Sequence, residues 1–156
     1  MNPTFAAAVA SLHPSFERLL AMTPVTNGEL PPEMPRRGVY LFSEGTDHLY
    51  VGRSNNLRGR YGRHCLPGAT FRMAAFAFRL ARLETGRTAP SYKAGAESRH
   101  GLMSDPNFVR ALTDAKARIR AMDYRFVEEA DQSRQALLEI YCSIALATPH
   151  NDFDTH

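Results

Sequence analysis

Arg60 and His64 lie four residues apart in a segment that favours a helix, so their side chains should leave one face of it. Arg60 carries a permanent positive charge, and the imidazole of His64 titrates near neutral pH. Phosphoryl transfer needs such parts, because a cation offsets the charge that gathers on phosphate oxygens while a second group moves a proton. Taken alone, the pair is better explained by a surface arginine and a capping histidine.

Glu139 is the one charged residue between Gln135 and Thr148, in a segment with apolar residues on nearly every side of a helix. We therefore expect this helix to be largely buried. A carboxylate in such a place is costly unless it is paired, protonated or bound to a metal. An arginine partner is the structural explanation, and metal binding or catalysis is the functional one.

Tyr40 and Tyr50 stand in two segments that predict an antiparallel hairpin with Gly45 in its turn. Tyrosine favours strands, so cross-strand packing explains both residues without any chemistry. A glycine accompanies each tyrosine. Gly38 and Gly52 leave the backbone bare, so a ligand or another stretch of chain can approach closely there.

The arginines are concentrated in one part of the chain. No acidic residue occurs between Asp47 and Glu84, whereas seven arginines do, although the net charge of the whole chain is only +3. The planar guanidinium binds phosphate oxygens in pairs, so a nucleic acid is one explanation of this cluster. On composition alone, a solvated basic surface explains the arginines equally well. We predict nucleic-acid contacts from Arg53, Ser54, Arg58, Arg63 and Arg72.

The elements that position these residues follow from apolar spacing and from capping residues. We predict an amphipathic helix over residues 4–22, a helix after the capping residues 54–56, and a helix over 71–85 that Gly86 stops. Residues 87–103 predict a loop, and a further helix begins at Pro106. Residues 123–129 alternate as a third strand, and a last helix extends from Asp131 to Pro149.

Taken together, these positions resemble the signatures of the GIY-YIG nuclease family. The first signature appears as residues 38–40 (GVY) and the second as residues 50–52 (YVG), each with a conservative Ile-to-Val change. The family's helix arginine falls on Arg60 and the next position on His64. Its metal-binding glutamate falls on Glu139, and its late asparagine falls on Asn151, twelve residues further on. The spacer of nine residues between the signatures is slightly shorter than is usual in the family.

The resemblance implies an α/β (α+β) fold with a small, mainly antiparallel three-stranded sheet flanked by helices. Apolar spacing and a Pro-rich connection predict an N-terminal helix and linker over residues 1–30, and the resemblance implies a nuclease domain over 31–156. The stretch from His64 to Glu139 is longer than in a minimal domain of the family, so we expect a helical insertion at about 65–122. This insertion leaves the choice of substrate open.

The resemblance also implies hydrolysis of DNA, in double-stranded form, with one Mg²⁺ or Mn²⁺ held by Glu139. Arg60 would offset the charge of the scissile phosphate. Tyr40 would accept a proton from water, provided that the nearby cations, Arg60 and Arg53 among them, lower the pKa of its phenol. Tyr50 and His64 would position water or phosphate, and Asn151 would fix neighbouring groups by hydrogen bonds.

Several alternatives stay open at this stage. The chain can be a non-catalytic nucleic-acid-binding module of the same fold, or a phosphodiesterase directed at RNA or at a small molecule. The oligomeric state, a dimer included, and the biological role are not determined. The aromatic residues of the insertion favour core packing over base stacking; they are Phe71, Phe76, Phe78 and Tyr92.

The sequence predicts a cytoplasmic protein with no membrane partner. No apolar run is long enough to span a bilayer, and the N-terminal residues interrupt any leader pattern with charges. Cys65 and Cys142 are the only cysteines and lie far apart in the sequence. This spacing argues against a zinc site and against a disulfide framework.

Overall fold

The computed structural model describes residues 1–89 and 94–153. The chain divides into two compact units. We call the first the sheet unit; it comprises Met1–Arg60 and Met122–His156. We call the second the helical unit; it comprises Tyr61–Ala121.

Three antiparallel strands form the sheet in the order β2-β1-β3. They are β1 (Gly38–Glu44), β2 (Asp47–Ser54) and β3 (Asp123–Glu128). β1 and β2 form the predicted hairpin, and Gly45 adopts the left-handed conformation at its turn, with φ of +59°. The predicted α+β fold with a small antiparallel sheet flanked by helices is confirmed.

Seven helices accompany these strands in the described part of the chain. They are α1 (Pro3–Ala10), α2 (His13–Ala21), α3 (Leu57–Cys65), α4 (Ala75–Thr85), α5 (Arg99–Leu102), α6 (Pro106–Ala121) and α7 (Gln132–Ala145). In the sheet unit, buried residues of α2 and α7 pack with residues of all three strands in one hydrophobic cluster. Its buried members are Leu12, Leu19, Val39, Leu41, Val51, Val127, Leu138 and Cys142.

The single helix predicted over residues 4–22 is wrong, because the chain turns between α1 and α2. Pro14 occupies the first turn of α2 and has no N–H to donate to the carbonyl of Ala10. The backbone instead closes a tighter turn, in which the N–H of Leu12 donates to the carbonyl of Val9 over 3.0 Å. Two short helices therefore replace one long one.

Other predicted boundaries also shift. α4 begins at Ala75 rather than at residue 71, although Gly86 ends it as predicted, with φ of +68°. The predicted loop 87–103 contains α5, whose start is capped by the Ser98 hydroxyl. α7 ends at Ala145, before Pro149, and Leu146 caps it.

α7 is less buried than its sequence predicts. Ile140 and Ile144 lie one turn apart, and their exposed fractions are 43% and 74%. The inner side of α7 instead carries Leu138 and Cys142, which are fully buried. The expectation of burial on nearly every side is therefore wrong, because a helix on one face of a small sheet has only one side to bury.

The helical unit has its own aromatic core. Phe76, Phe78 and Phe108 are buried, and the rings of Phe78 and Phe108 meet edge to face with centroids 5.1 Å apart. Phe71 is half-buried beside Phe78. Burial of the two α4 aromatics agrees with core packing rather than base stacking, whereas Tyr92 lies outside the described residues. None of the helices in the described ranges has the length and apolarity to cross a membrane.

Candidate active site

Tyr40 lies across the backbone of its strand neighbour Gly52. The register pairs Tyr40 with Gly52 and Phe42 with Tyr50, so the two tyrosines are diagonal neighbours, with ring centroids 6.4 Å apart. A Cβ atom at Gly52 would lie 2.2 Å from the hydroxyl oxygen of Tyr40. The missing side chain at Gly52 therefore makes room for the Tyr40 ring rather than for a ligand. Gly38 likewise makes room for β3, since its Cβ would lie 2.0 Å from the carbonyl oxygen of Val127.

Replacing Gly52 with alanine should lower the free energy of unfolding by about 1–3 kcal/mol, because the new methyl overlaps the buried Tyr40 ring. Gly68→Ala is the matched control, since no atom lies within 4 Å of the position of its Cβ. Urea unfolding followed by circular dichroism measures both. Equal stability of the two variants would contradict the tight approach of Tyr40 to β2.

Arg60 reaches the two tyrosines from α3. Its Nε donates a hydrogen bond to the Tyr40 hydroxyl over 3.3 Å, and its side chain also hydrogen-bonds to Tyr50. The turn that starts α3 is fixed locally. The Asn56 side chain accepts from the N–H of Gly59, and the Ser54 hydroxyl accepts from the N–H of Asn56. Ser54, predicted as a nucleic-acid contact, thus holds this turn.

Glu139 enters the same site from α7, whose start is capped by Asp131. Its side chain is 20% exposed, and Arg53 Nε donates to its Oε2 over 3.1 Å. Burial raises the pKa of this carboxyl, while Arg53 and Arg60 act in the opposite direction. The structure therefore provides the arginine partner that the structural explanation of Glu139 requires, and metal binding by this carboxylate stays a prediction.

The pKa of the Tyr40 phenol is raised well above its ordinary value, which is opposite to the predicted lowering. Burial is the main cause, and Tyr50 adds to it, whereas Arg60 acts in the predicted direction but too weakly. Burial raises the pKa of Tyr50 as well. Both side chains are therefore neutral phenols at physiological pH. A neutral Tyr40 hydroxyl can accept a proton from water only if it donates its own proton to another group at the same time.

Asn151 pairs with the edge of β2 through its side-chain amide. Its Oδ1 accepts from the N–H of Val51 over 2.9 Å, and its Nδ2 donates to the Val51 carbonyl over 2.7 Å. The Thr148 hydroxyl donates to the same Oδ1 over 2.8 Å. Because Val51 separates Tyr50 from Gly52, Asn151 positions the strand residues that form the site.

The structure places the other predicted residues as follows. His64 follows Arg60 on α3 but belongs to the helical unit, where it is fully buried with its ring edge against Phe76. Its part in proton transfer stays a prediction.

Arg58 is exposed and donates to the carbonyls of Pro31 and Pro32, which ties the linker to α3. Arg63 and Arg72 are exposed.

Two features of the site escaped sequence reasoning. Arg53 was expected to meet phosphate, but nothing in the spacing pointed to Glu139, which lies 86 residues further along. Thr148 orients the Asn151 amide, and its only signal was its place three residues before that asparagine. No family model, curated protein or solved structure matches the chain.

Proposed function

We propose that this chain is a metal-dependent endonuclease that hydrolyses DNA phosphodiester bonds. The observation that carries the proposal is a cluster of two phenols, a guanidinium and a carboxylate from four separate elements. Arg60 Nε donates to the Tyr40 hydroxyl over 3.3 Å, and the Tyr40 and Tyr50 rings lie 6.4 Å apart. Glu139, 99 residues after Tyr40 in the chain, contributes to the raised pKa of both phenols. The GIY-YIG resemblance of the sequence supports the same chemistry at these positions.

A divalent cation suits the donor at this site. Mg²⁺ keeps several waters and is bound through one or two carboxylates together with phosphate oxygens. Glu139 offers one partly exposed carboxylate of this kind. Residues 1–89 and 94–153 contain no cluster of three or more His, Cys, Asp or Glu side chains suited to a metal. Such a cluster is not needed when water and substrate complete the shell. When bound, the cation would polarise the phosphate and stabilise its developing charge.

Each residue of the site then has its own role in phosphodiester hydrolysis. Arg60 offsets the charge on the non-bridging phosphate oxygens, because its guanidinium is permanently charged and half-buried. The neutral hydroxyls of Tyr40 and Tyr50 orient water by hydrogen bonds. Arg53 pairs with Glu139 over 3.1 Å, and its exposed guanidinium would be available to a phosphate once the carboxylate held a cation.

A second candidate is a nucleic-acid-binding module that lacks cleavage activity. The Arg53–Glu139 ion pair favours it, because an arginine partner already satisfies the carboxylate of the site. In that case the phenols and Arg60 would serve packing and phosphate binding alone. The two candidates differ in one observable, which is strand cleavage.

Incubation with supercoiled plasmid tests the proposal. We expect conversion to the nicked circle with Mg²⁺ or Mn²⁺ and none with EDTA. The Glu139→Gln variant, purified in parallel, controls for contaminating nuclease. A wild-type chain that binds the plasmid but leaves it intact with every divalent cation would establish the second candidate. Cleavage of RNA but not of plasmid would redirect the proposal to RNA.

A further inference from the structure

Charge is divided unevenly between the two units. The helical unit contains eleven Lys and Arg residues and four Asp and Glu residues. The sheet unit contains eight Lys and Arg residues and twelve Asp and Glu residues. The unit that holds the candidate active site is therefore negative overall, and a polyanionic substrate is repelled by its net charge. The attraction that brings in such a substrate must come from elsewhere in the chain.

The arginines of the sheet unit are mostly engaged with their own unit. Six of its eight arginines hydrogen-bond to side chains or carbonyls within it. They are Arg18, Arg53, Arg58, Arg60, Arg125 and Arg134. The other two, Arg36 and Arg37, are exposed at the start of the sheet.

The helical unit has far fewer acidic residues to offset its positive charge, although each unit exposes five arginines. Arg87 forms ion pairs within the unit, because its guanidinium lies 2.8 Å from a carboxylate oxygen of Glu97 and 2.8 Å from one of Asp105. These pairs also neutralise two of the unit's four acidic residues, which leaves Glu84 and Asp114. Five further arginines of the unit are exposed: Arg63, Arg72, Arg99, Arg110 and Arg118.

Two of these exposed arginines are held against aromatic rings. The guanidinium carbon of Arg99 lies 4.9 Å from the centroid of the Phe78 ring, and that of Arg72 lies 5.4 Å from the centroid of Phe71. A cation–π contact of this kind holds the guanidinium near the ring and leaves N–H groups for a second partner. A planar fork prepared in this way suits the paired oxygens of a phosphate diester.

We propose that the helical unit is the part of the chain that holds the phosphate backbone of duplex DNA, while the sheet unit supplies the chemistry. The identity of the substrate rests on the proposed function. Nine of the unit's eleven basic residues are arginine, which favours bidentate phosphate contacts over diffuse attraction. Such contacts are independent of base sequence and depend strongly on salt.

Fluorescence anisotropy with a labelled DNA duplex tests this division in the full chain, in EDTA and over about 50–200 mM salt. The Arg63→Gln, Arg72→Gln double variant should bind more weakly, and its salt slope should fall by about one for each arginine removed. The Arg36→Gln, Arg37→Gln double variant is the matched control, because it removes the same charge from exposed sites of the sheet unit. We expect that control to bind as tightly as the wild-type chain.

The proposal is overturned if the sheet-unit variant loses as much affinity as the helical-unit variant, if neither loses any, or if the wild-type chain does not bind the duplex. An unchanged duplex affinity together with weaker binding to anionic vesicles would assign the surface to a membrane and would also overturn it. The measurement needs no cleavage. A chain that binds through its helical unit but never nicks plasmid refutes the nuclease proposal alone, and a nuclease that binds through its sheet unit refutes this inference alone.

Discussion

Replacing Glu139 with glutamine should reduce metal-dependent nicking about a thousandfold or more, because a bound cation contributes several kcal/mol of charge stabilisation. The amide retains the size of the carboxyl group but is a much weaker ligand for Mg²⁺ or Mn²⁺. The side chain is 20% exposed, so the carboxylate is within reach of a cation from solvent. Plasmid nicking measures the loss of cleavage, and titration calorimetry with Mn²⁺ alone measures the loss of cation binding.

Glu129→Gln is the matched control for that variant. Glu129 also belongs to the sheet unit and pairs with an arginine, since Arg134 Nε lies 3.0 Å from its Oε2. The control therefore removes a comparable ion pair without touching Tyr40 or Arg60. Nicking by Glu139→Gln at the wild-type rate, or an equal loss in both variants, would contradict a metal-binding role for Glu139.

Stability should separate a functional from a structural role for Glu139. Burial raises the pKa of this carboxyl in the folded chain above its value in the unfolded chain. The ionised form therefore costs folding free energy, and the cost develops as the pH rises from the unfolded to the folded pKa. Glu139→Gln should thus be at least as stable as the wild-type chain at neutral pH, with the difference vanishing in acid. Lost activity with undiminished stability is the result expected of a group retained for function.

Local patterns in the sequence predicted the parts of the fold that depend on near neighbours. Strand-favouring residues predicted β1, alternating residues predicted β3, and Gly45 predicted the turn between β1 and β2. Asp131 was predicted to cap α7, and its side chain accepts from the N–H of Arg134 over 2.8 Å. The break between α1 and α2 was also encoded locally, in Pro14, but the apolar spacing across it favoured one continuous helix.

The contacts that form the site lie beyond the reach of local patterns. Spacing placed Tyr40, Arg60 and Glu139 on different elements, but only packing determines that they act on one another. The Asn151–Val51 pairing joins residues 100 apart, and no rule of periodicity specifies it. The direction of the Tyr40 pKa shift depends on how deeply the phenol is buried. Burial outweighs the neighbouring guanidinium, and the order of these two effects is invisible in a sequence.

Replacing Arg60 with glutamine should lower the rate of nicking about a hundredfold to a thousandfold, comparable to removing one preorganised donor from a site of developing negative charge. The loss should appear in kcat rather than in KM, because the charge on the phosphate grows only on the way to the transition state. Arg60→Lys should recover part of it, since lysine restores the charge but not the planar fork. Single-turnover cleavage of a labelled duplex measures each rate.

A double-mutant cycle with Tyr40→Phe identifies how Arg60 acts. Its Nε donates to the Tyr40 hydroxyl over 3.3 Å, so the two side chains form one unit of the site. If Arg60 works partly by holding that hydroxyl, removing both groups should cost less than the sum of the single losses. The phenylalanine keeps the ring over Gly52, so this comparison isolates the hydroxyl from the packing. Strictly additive losses would mean that Arg60 acts on the phosphate alone, and an unimpaired Arg60→Gln variant would remove the guanidinium from the chemistry altogether.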